Sequence, residues 1–197
     1  MVARVDTVLR EELEIADGLA DPRMYVLDPC CGTGAYLVEV LKRINDTLKE
    51  KGEDALTGNT VKRAAMERVF GFEILPAPFV VSHLQLGLLL QNIGAPLSET
   101  GTERAGVYLT NALNGWEPPS DEVKKRLQQL AFSFAELKSE HDAAERVKSR
   151  AAILVVLGNP PYNGYAGVAM GEERDLTNAY RTTELAPPPE GSGLNNL

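Results

Sequence analysis

Four consecutive residues near the carboxyl end of the chain have types and spacing that suit chemistry on an amino group. Asn159, Pro160, Pro161 and Tyr162 follow an apolar run that begins at Ala151. An asparagine side-chain oxygen and a neighbouring main-chain carbonyl form a pair of acceptors that can hold both hydrogens of a planar NH2 group. The nitrogen lone pair can then leave conjugation and point at an electrophile, while the prolines stiffen the carbonyl and the tyrosine stacks on the ring. The alternative is a Pro-Pro turn that merely ends a strand.

A glycine-rich turn follows an earlier apolar run and suggests a ligand site. The sequence "DPCCGTG" contains Asp28, Pro29, Cys30, Gly32 and Gly34. Glycines let backbone amides approach a ligand, and the start of the helix that follows presents free N–H groups. The turn matches neither the phosphate-binding G-x-x-x-x-G-K-[ST] pattern nor the full G-x-G-x-x-G of dinucleotide folds. A tight strand-to-helix turn without a ligand is the alternative.

Polar residues also stand at or near the ends of two other apolar runs. Glu73 can accept hydrogen bonds from ribose hydroxyls, and Ile74 beside it can pack on a flat base. Asn111 can offer its amide to an adenine edge. The alternatives are a solvated glutamate, a core isoleucine and a turn-capping asparagine.

These residues need a sheet that brings strand ends together, and the hydrophobic pattern predicts one. Strands are predicted at Met24–Cys30, Arg68–Leu75, Ala105–Leu113 and Ala151–Asn159. Helices are predicted at Val2–Ile15, from Ala35 to a cap at Gly52, at Val61–Glu67, at Pro76–Gln91 and at Val123–Leu137, the last extending toward Arg150. The helix at Pro76–Gln91 is apolar almost all round, which predicts burial. Strands that alternate with helices predict a mainly parallel α/β sheet with helices on both faces and a ligand crevice at its carboxyl ends.

Composition narrows the class of protein. With 197 residues, 44% apolar and 24% charged, the chain suits one globular domain, and it has no apolar run of the roughly 20 residues that a membrane span needs. The cysteines, Cys30 and Cys31, are adjacent, which makes a structural disulfide implausible, favours packing roles and fits a reducing cytoplasm. His83 and His141 stand without partner cysteines, so no metal site is predicted. The net charge of −8 argues against a nucleic-acid partner.

The motifs resemble those of a known enzyme class. "DPCCGTGAYL" and "NPPY" resemble the cofactor and catalytic motifs of S-adenosylmethionine-dependent DNA amino-methyltransferases, in the order of the gamma-type adenine-N6 enzymes. The stretches "VFGFEILPAPFVVSHLQLGLLL", "VYLTNAL", "ILVVLGNPPYNGY" and "YRTT…GLNNL" resemble the methylase region of single-chain Type ISP restriction–modification enzymes. The resemblance implies a Rossmann-like methyltransferase sheet and S-adenosylmethionine as the cofactor.

The resemblance also implies roles for the residues of each motif. The residues expected around the methionine part of the cofactor are Asp28, Pro29, Cys30, Gly32 and Gly34. Those expected at its nucleoside part are Glu73 at the ribose, Ile74 against the adenine and Asn111 at the adenine edge. Those expected at a flipped target adenine are Asn159 and the Pro160 carbonyl on the amine, Pro161 stiffening the motif and Tyr162 stacked on the base.

The resemblance further implies an incomplete catalytic domain. Residues 1–170 would form a partial methyltransferase core, and residues 171–197 a loop-like tail leading toward missing strands and a target-recognition domain. The family's Thr-Pro element before the first helix is not in this sequence, and Asn111 stands where many relatives have aspartate. The DNA-gripping surfaces would belong to the missing recognition and nuclease/helicase domains, which would account for the acidity. An amino-methyltransferase for protein glutamine or for an RNA base, and a non-catalytic cofactor-binding fragment, remain alternatives.

Overall fold

The computed structural model describes residues 1–52, 54–101, 103–113 and 135–160. The chain divides into two compact units, Met1–Asn159 and Pro160–Leu197, and Pro160 is the described residue of the second unit. The elements of the first unit are α1 (Val2–Glu11), a 3-10 turn (Gly18–Ala20), β1 (Tyr25–Asp28), α2 (Ala35–Glu50), α3 (Asp54–Glu67), β2 (Val69–Glu73), α4 (Pro76–Asn92), β3 (Val107–Leu109), α5 (Ala135–Arg150) and β4 (Ile153–Val156). The predicted boundary near residue 170 and the predicted tail lie outside the described residues.

The four strands form one sheet in the order β3-β2-β1-β4, and every pair is parallel. The chain moves outward from β1 to β3 on one side and returns through α5 to β4 on the other side of β1. The direction of winding therefore reverses between β1 and β4. In open parallel sheets, ligands bind outside the carboxyl ends of the strands at such a point. The predicted parallel α/β fold of the Rossmann type is confirmed.

Helices cover both faces of the sheet, as the alternating pattern predicts. Successive strand residues point to opposite faces. Val26, Val69 and Val107 belong to one apolar cluster, which includes residues of α1 to α4. Leu27, Phe70 and Tyr108 belong to a second cluster, in which α5 supplies Ala144 and Val147. Both faces of β1 to β3 are therefore buried, which explains why these strands are apolar runs without alternating polar residues, whereas Leu154 and Val156 of β4 are exposed.

The predicted burial of the helix at Pro76–Gln91 is wrong for one of its sides. Ser82, Leu86 and Leu90 are buried, whereas Val80, Leu84 and Leu88 are each more than half exposed. The two sets are offset by two residues, which places them on opposite sides of a helix. Within the described part of the chain, one side of α4 packs on the protein and the other does not, although both sides are apolar. None of the helices in the described ranges is long and apolar enough to cross a bilayer.

Helix boundaries follow local signals where the sequence carries them. Gly52 has a φ of 78° and its N–H donates to the carbonyl of Lys49, so it ends α2 as predicted. Helix α3 begins at Asp54, earlier than the predicted Val61. Helix α5 spans Ala135–Arg150, where the predicted helix was expected to extend, whereas the predicted segment from residue 123 to residue 134 lies outside the described residues.

A buried carboxylate attaches the first helix to the rest of the fold. Asp6 is fully buried, and its oxygens accept hydrogen bonds from the Leu19 N–H, Arg10 and Arg43 at 2.8 to 2.9 Å. Burial alone would raise the pKa of Asp6, but these three donors outweigh it and hold the pKa below its usual value. The space beside Asp6 is filled as well, because a Cβ on Gly18 would lie 2.1 Å from its Oδ1.

Candidate functional site

The carboxyl end of β1 carries a buried acid with an unused oxygen. Asp28 is 1% exposed, and its Oδ1 accepts the Cys30 N–H at 3.1 Å. Its Oδ2 is buried and has no hydrogen-bond partner among the described residues. Burial raises the pKa of Asp28 to about 6; the Cys30 N–H lowers it, and the negative charge of Glu73 adds to the rise. Such a group is ionised near neutrality and is suited to accept a hydrogen bond from a cationic donor.

The glycine turn after β1 has the backbone geometry that its sequence predicts. Gly32 and Gly34 have φ values of 55° and 85°, a region that side chains with a Cβ rarely adopt. A Cβ on Gly32 would meet nothing within 4 Å, so the backbone there faces open space. A Cβ on Gly34 would lie 3.1 Å from Ser82, which shows how closely α4 approaches. No side chain of the described residues caps the start of α2 at Gly34, which leaves the first N–H groups of the helix without a side-chain cap there.

Of the two cysteines of this turn, Cys31 is a buried packing residue, as predicted, whereas Cys30 is only partly buried. Cys31 is buried, its N–H donates to the Phe72 carbonyl, and a Cβ on Gly71 would lie 2.9 Å from its sulfur. Burial first, and then the charges of Asp28 and Glu73, raise the pKa of the Cys31 thiol to about 12. The same causes raise the pKa of Cys30. Neither thiol is activated as a nucleophile.

Glu73 links the end of β2 to the glycine turn. Its Oε2 accepts the Gly32 N–H at 2.9 Å, and its Oε1 accepts the Leu75 N–H at 2.8 Å. A carboxylate has about four acceptor positions, so each oxygen keeps the capacity for another donor. The side chain is 9% exposed, which excludes the solvated glutamate of the alternative interpretation. Ile74 beside it is 61% exposed and leaves an apolar surface next to the acid.

Asn111 caps the turn after β3, which is the alternative that the sequence left open. Its Oδ1 accepts the Leu113 N–H at 2.9 Å. The turn adjoins the end of β2, because the Thr110 N–H donates to the Glu73 carbonyl at 2.8 Å. No hydrogen bond of the Asn111 amide nitrogen is found among the described residues, so this donor group remains available.

The end of β4 lies directly against the end of β1. The Leu157 N–H donates to the Leu27 carbonyl at 3.0 Å, and a Cβ on Gly158 would lie 2.7 Å from Asp28 Oδ1. Asn159 comes next and is exposed. Pro160 is exposed too, whereas Pro161 and Tyr162 lie outside the described residues. Gly158 was not singled out in the sequence, although a glycine between a buried strand and a polar motif signals a close backbone approach.

The strand ends thus form a connected rim. Thr110 joins Glu73 through the backbone, Glu73 joins Gly32, and Gly158 adjoins Asp28. Asp28, Glu73, Asn111 and Asn159 therefore stand at neighbouring strand ends, as the sequence predicts for a parallel sheet. As far as the described residues show, the rim presents unused acceptor positions at Asp28 and Glu73 and an unused donor at Asn111. Such a set suits a ligand with an amino group, vicinal hydroxyls and a heteroaromatic ring.

The fold is similar to that of Type ISP restriction–modification enzymes. A nuclease-deletion mutant of the enzyme LlaGI, solved with a DNA substrate mimic, matches 81% of this chain with a TM-score of 0.59 and 20% identity. LlaBIII bound to DNA matches 90% with a TM-score of 0.60 and 19% identity, and the DrdV–DNA complex matches 89% with a TM-score of 0.57 and 21% identity. The chain spans 12%, 11% and 15% of those three chains, respectively. No protein-family model and no curated protein matches the chain.

Sequence reasoning missed one buried charged residue beside the rim. Lys148 is 7% exposed and donates to the Asn111 carbonyl and to Thr110 Oγ1. It lies in the charged stretch "SEHDAAERVKSR", where a lysine is expected to be exposed to solvent, so no local signal distinguishes Lys148 from the exposed residues around it. The same helix carries a group with metal-ligand spacing in the described part of the chain, His141, Asp142 and Glu145. Asp142 is already paired with Lys138 and His141 there.

Proposed function

We propose that this chain is the catalytic core of a site-specific DNA methyltransferase that transfers a methyl group from S-adenosylmethionine to adenine N6 within a restriction–modification enzyme. The observation that carries the proposal is the buried, unpaired Oδ2 of Asp28 at the point where the winding of the sheet reverses. A buried ionised oxygen without a partner destabilises a fold. A site that binds a cationic ligand there gives a physical reason to keep it.

The residues of the rim fit the parts of S-adenosylmethionine in order. Asp28 Oδ2 suits the ammonium group of the methionine part, and the open backbone at Gly32 lets that part approach the glycine turn. The remaining acceptor positions of Glu73 suit the two ribose hydroxyls, and exposed Ile74 suits the face of the adenine. The Asn111 amide nitrogen suits an acceptor on the adenine edge.

The transfer itself depends on positioning rather than on an activated side chain. In the proposed site, Asn159 Oδ1 and the Pro160 carbonyl hold the two hydrogens of the target amine, so its lone pair is free to attack. S-adenosylmethionine held there would supply the methyl group of its sulfonium. The new N–C bond would form as the C–S electron pair passes to sulfur, and the methylated amine would then release a proton to water. Oriented reactants of this kind can lower a barrier by up to about 7–11 kcal/mol. Asp28 contributes by holding the methyl donor, and Asn159 contributes by holding the amine that receives the methyl group.

DNA as the substrate is supported by the similar folds, which were solved with DNA or a DNA mimic. The chain spans at most 15% of those chains, and its own net charge is −8. The basic surfaces that grip phosphates would therefore lie in parts of a longer protein. A flipped adenine would reach Asn159 at the exposed end of β4.

Cofactor binding is the first test of this function. Calorimetry of the 197-residue chain with S-adenosylmethionine, NAD and ATP should give binding of S-adenosylmethionine alone. Glu73→Gln should weaken that binding at least about tenfold, because a ribose hydroxyl loses a charged acceptor. Glu67→Gln, at an exposed acid on α3, is the matched control and should leave the affinity unchanged. Equal binding of NAD would contradict the proposal.

Methyl transfer is the second test. A longer protein with flanking domains on both sides is incubated with labelled S-adenosylmethionine and unmethylated DNA, RNA or protein. The label should appear on adenine N6 of DNA. Asn159→Ala should abolish transfer while changing cofactor affinity less than about threefold, because Asn159 holds the other substrate. Label on cytosine, on RNA or on a glutamine amide would replace the proposed substrate by one of those alternatives.

A further inference from the structure

Lys148 is a buried lysine beside the rim. Its amine lies 3.0 Å from Thr110 Oγ1, 2.6 Å from the Asn111 carbonyl and 5.0 Å from the centre of the Phe72 ring. Lysines are rarely buried, because removing an ammonium group from water is costly. This one points its charge at the turn after β3.

Lys148 adds to the hydrogen bonds that hold the turn at Thr110 and Asn111 in place. The Thr110 N–H is bound to the Glu73 carbonyl, and the Leu113 N–H is bound to Asn111 Oδ1. Lys148 binds the two groups between them, the Thr110 hydroxyl and the Asn111 carbonyl. The turn is therefore held from β2, from within and from α5, and its conformation determines which atoms of Asn111 face a ligand.

The fixed turn leaves a hydrogen-bond donor on Asn111. The Asn111 oxygen already accepts the Leu113 N–H, and no hydrogen bond of its NH2 group is found among the described residues, so the side chain offers this NH2 group to a ligand. A 6-aminopurine such as adenine has an unprotonated N1 that accepts a hydrogen bond. A 6-oxopurine such as hypoxanthine carries a hydrogen on N1 and cannot accept there. An NH2 group placed opposite N1 therefore favours a 6-aminopurine over a 6-oxopurine at this position.

We propose that Lys148 is a positioning residue that holds the Thr110–Asn111 turn so that the site selects a 6-aminopurine nucleoside over a 6-oxopurine one. This inference rests on the proposed function, because the nucleoside is that of the proposed cofactor. Lys148 acts through Asn111 and does not touch the ligand.

The charge of Lys148 provides a readout that a merely structural residue would not. Burial lowers the pKa of its amine to about 8, and the charge of Glu145 opposes the change. Among neighbouring groups, β2 supplies the uncharged Phe72, and β3 supplies Tyr108, whose pKa burial raises above its usual value. Arg104 and Glu140 are paired with each other. Lys148 is thus the group beside the turn that loses its charge between about pH 7 and about pH 9.5.

Deprotonation of Lys148 should have opposite effects on the stability of the fold and on its affinity for a nucleoside. The unfolded chain keeps its lysine protonated up to its usual pKa, so stability rises with pH above about 8 as the folded chain releases the buried proton. The hydrogen bonds to Thr110 and Asn111 weaken over the same range, because they lose the assistance of a charge. Nucleoside affinity should therefore fall while stability rises.

The test uses two neutral nucleoside probes and two matched variants of the 197-residue chain. The probes are 5′-methylthioadenosine and its inosine counterpart, which lack the amino acid part and so avoid Asp28. We expect the wild type to bind the adenine probe at least about tenfold more tightly than the inosine probe. Lys148→Met should lose most of that preference, and Lys138→Met, a surface lysine of the same helix, should keep it. Wild-type affinity for the adenine probe should fall several-fold from about pH 7 to about pH 9.5.

The outcomes separate this inference from the proposed function. A Lys148→Met variant that keeps the affinity and the preference overturns the inference. If that variant does not fold, the pH series of the wild type decides, and an affinity that stays flat overturns the inference. If the wild type binds neither probe nor S-adenosylmethionine, the proposed function fails. In that case amide exchange at Leu113 in the ligand-free wild type, expressed relative to the intrinsic exchange rate at each pH, decides on the turn: protection that falls above pH 8 supports the positioning role, and unchanged protection overturns it.

Discussion

Replacing Asp28 with asparagine should stabilise the ligand-free chain and weaken cofactor binding at the same time. Burial raises the pKa of Asp28 from 3.8 to about 6, so the folded chain binds this proton more tightly than the unfolded chain does. A tenfold change in acid strength is worth ~1.4 kcal/mol, so ionising the buried carboxyl costs about 3 kcal/mol. The contribution of Asp28 to the free energy of unfolding is therefore fully present below about pH 4 and is lost as the pH rises through about 6.

The substitution keeps most of the local contacts. Asparagine Oδ1 can accept the Cys30 N–H as Asp28 does, and its NH2 group takes the place of the unpaired Oδ2. That unpaired NH2 costs about 1–2 kcal/mol, which leaves a net stabilisation of about 1–2 kcal/mol at neutral pH. Affinity for S-adenosylmethionine should fall at least about tenfold, because the ammonium group loses its ionic partner.

Urea unfolding of the ligand-free wild type and Asp28→Asn between about pH 4.5 and about pH 7.5 measures the effect. The stability of the variant relative to the wild type should increase by about 2 kcal/mol across this range. Asp46→Asn, at an exposed position on α2, is the matched control and should show no such trend. A difference that stays constant, or that favours the wild type as the pH rises, would refute a buried, ionised and unpaired Asp28.

The remaining predictions concern packing and the buried Asp6. Gly71→Ala should lower the free energy of unfolding by about 1–3 kcal/mol, because its Cβ would lie 2.6 Å from Leu37 Cδ1 in the core. Urea unfolding measures this change. An unchanged free energy of unfolding would show that the core rearranges to accommodate the added methyl group. Asp6→Ala should cost about 2–4 kcal/mol, because it leaves Arg10 and Arg43 without their shared carboxylate. Thermal melting at two salt concentrations would test the second prediction, and a loss below about 0.5 kcal/mol would mean that the ion pairs contribute nothing net.

The sequence by itself determined the elements and the places where the chain can do chemistry. Apolar runs that end in polar residues predict strands with Asp28, Glu73 and Asn159 at their ends, and positive-φ glycines such as Gly52 mark turns. These signals are local, since backbone conformation and hydrophobic period depend on residues a few positions apart. The parallel arrangement followed from the alternation of strands and helices alone.

Only the tertiary structure decided which side chains are buried and which are left unpaired. The strand order places Gly158 against Asp28, and burial there raises the pKa of the acid. The apolar helix α4 turned out to bury one side and expose the other, and Lys148, in a charged stretch, turned out to be buried. The burial of Lys148 and the unpaired oxygen of Asp28 depend on elements that are distant in sequence, so composition and periodicity carry no signal for them.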